Sequence, residues 1–260
     1  MANSKGNRYP LWAIEVDGTV VAYDAMATRH KMSQATFATQ VSVSDDGTVW
    51  IVSFDTDPSG GGLKIFFSNG TDKWQEAEGE GPGAVKIAGT SNGDCVILTS
   101  DYELYALNQK KEYTKLDTGV YDIDCGGGNF WALKPIKEGG VPVLQYCAAN
   151  APLQWKVFEG NLSPRSISVG ASGECWALLD EVPYQFKSDG KTKKAVIPGA
   201  TINAMQISYK NYTNAILSAT DVTDKGNLFL QYTASPTVDP VYLPVNGIRA
   251  NNMATTYYVP

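Results

Sequence analysis

One histidine, four cysteines and scattered carboxylates are the residues of this chain whose types could do chemistry. His30 could act as a general base only with an orienting partner and a nucleophile in reach, and its neighbours in sequence suggest neither. It reads as a surface histidine. Gly89-Thr-Ser91-Asn-Gly93 has the G-x-S-x-G spacing of a nucleophile elbow, which works because a strand turns sharply into a helix. Here the chain runs on into a second strand, Cys95-Val-Ile-Leu, so the segment reads as a hairpin turn. Asp55-Thr-Asp57-Pro-Ser-Gly60 opens like a calcium loop, but the twelfth position, where a bidentate Glu belongs, is Phe66. A carboxylate-only calcium site at Asp55 and Asp57, or at Asp221 and Asp224, is the alternative to plain solvated loops. The glycine runs at 60–62 and 126–128 lack the Lys-Ser/Thr of a phosphate loop. No catalytic group, metal set or cofactor motif is therefore assigned.

The elements that would position any site are strands, and they recur. Val41-Ser-Val-Ser-Asp-Asp-Gly-Thr-Val-Trp50 reads as a strand, an Asp46-Gly47 turn and a second strand. The unit returns around Val85–Val96, Tyr121–Trp131 and Ile167–Trp176, and more weakly at Met205–Ile216. Aligning the Trp50 position gives a column of Trp12, Trp50, Val96, Trp131, Trp176 and Ile216, at intervals of 38, 46, 35, 45 and 40 residues. Each interval has room for two more strands, such as Leu63–Ser68 and Lys73–Ala77. Four strands in roughly 40 residues, without a helical period, predict propeller blades.

The first unit begins at its second strand, Leu11–Val16, and the segment 248–260 offers a strand that nothing downstream completes. The expected fold is all-β: a six-bladed β-propeller of four-stranded blades, closed by pairing the N- and C-terminal strands in one blade. Residues 1–260 would form a single domain, its composite first blade drawn from about 11–37 plus 248–260. Closure leaves no exposed sheet edge.

Three patterns in these repeats bear on function. Trp12, Trp50, Trp131 and Trp176 fall at one internal position and read as packing between blades. Trp74, Tyr113 and Trp155 form a second column on the outer strand; an aromatic face there could stack on a sugar ring, or could seal the blade edge. The connection after the second strand is short in the first, third and fifth units. It is long in the second, fourth and sixth (54–62, 134–140 and 218–226), so three raised hairpins are expected to wall a recognition surface on one face.

The motif Ile-Ser-Val-Gly-Ala-x-Gly-x-x-Trp-Ala at 167–177, its variant at 41–50, and the aromatic strands with a following Gly (Trp74 to Gly79, Trp155 to Gly160) resemble tectonin-type repeats. The likeness spans about Leu11 to Val259. The third unit departs from it with Val96 for Trp, and the fifth copy with Ile216 and no Gly turn. Tectonin-type propellers include lectins, so the resemblance implies a non-enzymatic carbohydrate-binding protein with several similar sites around the ring. Trp74, Tyr113 and Trp155 would then be its contact residues and glycans its partners. A protein-interaction platform using the same rigid disc is the alternative.

Cys125 and Cys147 fall on the first and third strands of one unit, roughly 9 to 10 Å apart by two strand spacings, too far for a disulfide. Cys95 and Cys175 share one column two units apart, so four buried thiols in a reducing compartment are expected. The sequons at Asn69, Asn161 and Asn211 are of the kind that an Asn-, Ser- and Thr-rich chain supplies by chance. In the 260 residues, 27 acidic groups outnumber 21 basic ones, giving −6, which repels phosphate backbones and excludes nucleic acid as a partner. No apolar run is long enough to insert into a membrane. The first residues lack the apolar stretch of a secretory signal, so the expected location is cytoplasmic, or outside after release by another route.

Overall fold

The computed structural model describes Tyr9 and residues 11–15, 17–24, 28–33, 37–54, 63–77, 81–150, 152–164, 167–170, 173–179, 182–195, 204–210, 213–219, 228–233, 241–243 and 250–255. Beyond Lys193 the backbone alone is described. The fold is an all-β propeller of small antiparallel sheets, each of four strands.

The first sheet contains β24 (Ala250–Thr255), β1 (Leu11–Glu15), β2 (Val20–Tyr23) and β3 (Arg29–Lys31), in that order. The second contains β4 (Ala38–Val43), β5 (Val49–Phe54), β6 (Leu63–Ser68) and β7 (Gln75–Glu76). The third contains β8 (Ala84–Gly89), β9 (Cys95–Thr99), β10 (Glu103–Leu107) and β11 (Tyr113–Thr118). The fourth contains β12 (Asp122–Gly126), β13 (Asn129–Pro135), β14 (Pro142–Ala148) and β15 (Lys156–Val157). The fifth contains β16 (Ile167–Val169), β17 (Cys175–Leu179), β18 (Val182–Phe186) and β19 (Lys193–Ala195). The sixth contains β20 (Ala204–Lys210), β21 (Thr213–Ala219), β22 (Leu228–Thr233) and β23 (Val241–Leu243).

The two ends of the chain meet in the first sheet. Leu11 opposes Thr255 and Ile14 opposes Asn252, with a register shift between Ile14 and Glu15. The strand offered by the segment 248–260 is therefore 250–255, and Tyr257 and Tyr258 of that segment lie outside the described residues. First strands touch in turn: β4 against β8, β8 against β12, β12 against β16, β16 against β20, β20 against β24, and β24 against β4.

Antiparallel order fixes two ends for every sheet. The connections between first and second strands, and between third and fourth, lie at one end, the turn end. The connections between second and third strands, and the entries into each first strand, lie at the other, the entry end.

The core is divided among the seams between sheets. Trp12 and Ile14 pack with Val41, Val43, Val49 and Ile51 between the first and second sheets. Trp50 packs with Ile87, Cys95 and Leu107 between the second and third. Val96 and Leu104 pack with Ile123 and Phe130 between the third and fourth. Trp131 packs with Val169, Cys175 and Phe186 between the fourth and fifth. Alternate residues of each strand face opposite sides of its sheet, so one sheet feeds both of its seams. The inner tryptophan column is thus core at Trp12, Trp50 and Trp131, while Trp176 is only half-buried.

Polar groups fasten the inner strands to one another. Ser42 Oγ accepts the Gly89 N–H at 2.8 Å, and the Asp124 carboxylate accepts the Val169 N–H at 2.7 Å. Lys86 forms an ion pair with Asp122 across the third seam. All four cysteines are buried free thiols, as their strand positions predicted. Among the described residues no helix is long and apolar enough to cross a membrane.

Candidate functional site

The second and fourth sheets fill their forward seams with matched ring pairs. Trp50 opposes Phe67 across β5 and β6, with centroids 5.0 Å apart at 34°. Trp131 opposes Tyr146 across β13 and β14, at 5.1 Å and 32°. At the same place in the third sheet, Val96 opposes Ala106. Both rings are missing there, and close-packed interiors do not collapse to fill such a loss. A cavity of about 270 Å³ opens at the turn end of the seam between the third and fourth sheets.

Its apolar wall is Val96, Ala106, Leu116, Phe130 and Leu153. Its polar wall is Thr90, Ser91, Asn92 and Asp94 from the β8–β9 turn, with Asn150 from the β14–β15 connection. The turn is set before any ligand arrives. Thr90 Oγ1 donates to Asn92 Oδ1 at 2.6 Å, and Asn92 Nδ2 donates to Asp94 Oδ2 at 2.8 Å. The Gln109 N–H holds Asp94 Oδ1 at 3.1 Å. Each of these side chains keeps hydrogen-bonding capacity for a guest: an amide has two donors, and a carboxylate about four lone-pair sites. Amides and a carboxylate beside aliphatic surface suit a guest with hydroxyls on one face and C–H groups on the other.

Cys95 also lines the cavity. Burial pushes its thiol well above the ordinary range, and the neighbouring Cys125 and Asp94 push the same way. It is held as the neutral thiol, which is neither a nucleophile nor a metal ligand. Ser91 lies in the β8–β9 hairpin turn, so the G-x-S-x-G spacing is not an elbow. His30 does have a partner, Asp24 Oδ2, at 3.0 Å, and its ring is 4.9 Å from that of Tyr9. Asp55, Asp57, Asp221 and Asp224 lie outside the described residues.

The three expected sugar contacts occupy matching places in successive seams and are not brought together. Trp74 is half-buried against the first seam, edge-on to Trp12 at 6.1 Å, with its indole nitrogen buried. Tyr113 packs against the second seam, its ring lying on Gly81. Trp155 packs against the third with Leu116 and Leu153, and donates its indole N–H to Asp117 at 2.5 Å. Each has the contacts of a residue sealing a blade edge. Of the raised hairpins expected to wall the site, the one at 134–140 lies at the entry end, opposite the cavity, while most of 54–62 and 218–226 lies outside the described residues.

The cavity residues escaped the sequence reading, although a signal existed. Val96 interrupts the tryptophan column, and an interruption in a packing column marks missing volume. Ala106, Asn150 and Leu153 carry no such mark.

No protein-family model matches the chain, and no curated protein matches it in sequence. Solved structures share its fold. TolB from Acinetobacter baumannii superimposes with a TM-score of 0.69 at 12% identity, over 98% of this chain and 68% of that one. A chain of the nidogen/laminin complex gives 0.63 at 11% identity, over 94% and 96%. The virginiamycin B lyase from Staphylococcus aureus gives 0.53 at 12%, over 94% and 86%. At these identities the likeness is one of fold.

Proposed function

We propose that this protein is a non-enzymatic carbohydrate-binding propeller whose ligand occupies the cavity of the third seam. The carrying observation is the replacement of a ring pair by Val96 and Ala106 beside the pre-set Asn92–Asp94 turn. The sugar ring lies along Leu116 and Leu153, and its hydroxyls meet Asn92, Asp94 and Asn150. Trp155 packs against the same core cluster as these two leucines and backs this wall. Trp74 and Tyr113 seal the seams before it. The corresponding spaces beside Trp50 and Trp131 are filled by Phe67 and Tyr146, so this reading places the site in one seam rather than in equal copies around the ring. The scaffold is a closed six-bladed disc, a reading supported by the six sheets and the β24–β1 pairing.

A glycan array probed with the unmodified protein, Asn92→Ala and Asn150→Ala tests this reading. Binding to a defined sugar class that both substitutions abolish is the expected result. Binding that survives both but disappears in Trp74→Ala and Tyr113→Ala would move the site to the outer column. An array without signal would remove the carbohydrate reading.

A further inference from the structure

The entry end of the disc has a character of its own. Phe37, Phe54, Tyr102, Tyr121, Ile136 and Val141 all lie there, each more than 40% exposed. They follow one arc from the entry of the second sheet to the β13–β14 hairpin of the fourth. Tyr102 and Tyr121 belong to adjacent sheets and stack on one another, with centroids 4.2 Å apart at 26°. Large apolar side chains gathered at one end of a disc mark an interaction surface.

Backbone conformation is a second, independent observation. Phe37 has φ of 56° and Tyr102 has φ of 61°, the left-handed region in which a bulky residue is an outlier. Both are locked there by main-chain hydrogen bonds. Phe37 O accepts from Phe54 N at 3.0 Å, while Tyr102 N donates to Thr99 O and Tyr102 O accepts from Val120 N. Glycine would adopt either conformation without strain. Stability therefore favours glycine at both positions, yet each carries an exposed aromatic ring. Strain of this kind persists where the side chain serves function.

Charge selects the occupant. Three lysines of the third and fourth sheets are ion-paired: Lys86 with Asp122, Lys115 with Glu103, and Lys134 with Asp117. Asp101, next to Tyr102, is exposed and has no hydrogen-bonded or ion-paired partner among the described residues. A stacked ring pair beside such a carboxylate attracts a cation through both the ring faces and the charge. The chain's net charge of −6 acts in the same direction.

We propose that the entry end docks a protein partner through a segment that presents an arginine between apolar side chains. The guanidinium lies against the Tyr102–Tyr121 pair and reaches Asp101, while the apolar flanks cover Phe37 and Phe54 on one side and Ile136 and Val141 on the other. This surface is opposite the sugar cavity, and the proposal does not depend on that reading.

Panning a displayed random-peptide library on the full chain tests it, followed by anisotropy with the selected peptides and three variants. Enrichment of arginine flanked by apolar residues is expected. Tyr102→Gly and Asp101→Asn should each weaken binding by about tenfold or more. Tyr102→Gly should leave the melting temperature unchanged or raised, because relief of the left-handed strain offsets the lost stacking. Phe37→Gly should behave in the same way. Absence of enrichment, enrichment of acidic peptides, or affinity indifferent to Tyr102→Gly would overturn the proposal. So would self-association of the protein that Phe37→Gly abolishes, since the face would then belong to a second copy.

Discussion

The indole N–H of Trp50 donates to the carbonyl oxygen of Gly93, 3.1 Å away in the next sheet. Trp131 makes the same contact with Gly173 at 2.9 Å. In both cases the acceptor is the turn glycine of the following unit, at φ of 86° and 82°. At these two seams the tryptophan and the turn glycine of the repeat are thus the two halves of one contact between blades, a contact that the buried indole nitrogen of Trp12 does not make. The ring fills the seam and the N–H fastens it.

Replacing Trp50 by Phe keeps much of the ring and removes the donor. Ser44 Oγ, 3.2 Å from the same nitrogen, and the Gly93 carbonyl each lose a buried hydrogen bond. The expected cost is about 1–3 kcal/mol in urea unfolding. Trp50→Ala should cost about 3–5 kcal/mol, because a cavity is added. A Trp50→Phe variant as stable as the unmodified protein would show that the N–H contributes nothing.

Val96→Trp combined with Ala106→Phe rebuilds in the third sheet the ring pair of the second and fourth. Filling a cavity of this kind typically stabilises by about 0.5–2 kcal/mol. The double variant should therefore melt higher than the unmodified protein and bind no ligand at the third seam. A lower melting temperature would mean that Phe130 and Leu116 leave no room for rings, and that the cavity is smaller in effect than its volume of about 270 Å³.

The Lys86–Asp122 ion pair makes stability depend on alkaline pH. Burial lowers the pKa of Lys86, but the charges of Asp122 and Asp124 outweigh it and raise the group above its ordinary 10.5. The group binds its proton more tightly folded than unfolded. Its contribution is complete below about pH 10.5 and is lost as pH rises through the folded value. Lys86→Met should lower stability at neutral pH and flatten the alkaline limb of the stability profile. An alkaline limb identical in the two proteins would exclude the pair as its origin.

All four thiols should resist a disulfide reagent at pH 8 in the native protein and react fully in denaturant without reductant. Burial raises Cys95 and Cys175 well above the ordinary range and Cys147 to about 12, so almost no thiolate exists at that pH. Fewer than four reactive groups in denaturant would contradict the unpaired state of Cys95, Cys125, Cys147 and Cys175.

The strands, their turns and the repeat are legible in the sequence, because each is a local matter. Alternation sets the strand faces, a glycine or asparagine turn sets the hairpin, and a residue recurring at a fixed place, such as Trp50, must meet a recurring environment. The sequence also separates Cys125 from Cys147, since two strand spacings exceed the reach of a disulfide. What the tryptophans touch depends on how the sheets pack in three dimensions. Gly93 is 43 residues from Trp50, and the contact exists only because adjacent sheets pack face to face. The cavity depends on that packing as well. Val96 was visible as a break in a column, but its opposite, Ala106, belongs to no recurring motif, and Asn150 comes from the next sheet. Missing volume is a property of a seam, and a seam is made by two sheets at once. The entry end followed the same rule: Tyr102 and Tyr121 are ordinary residues of separate turns until the third and fourth sheets stack them.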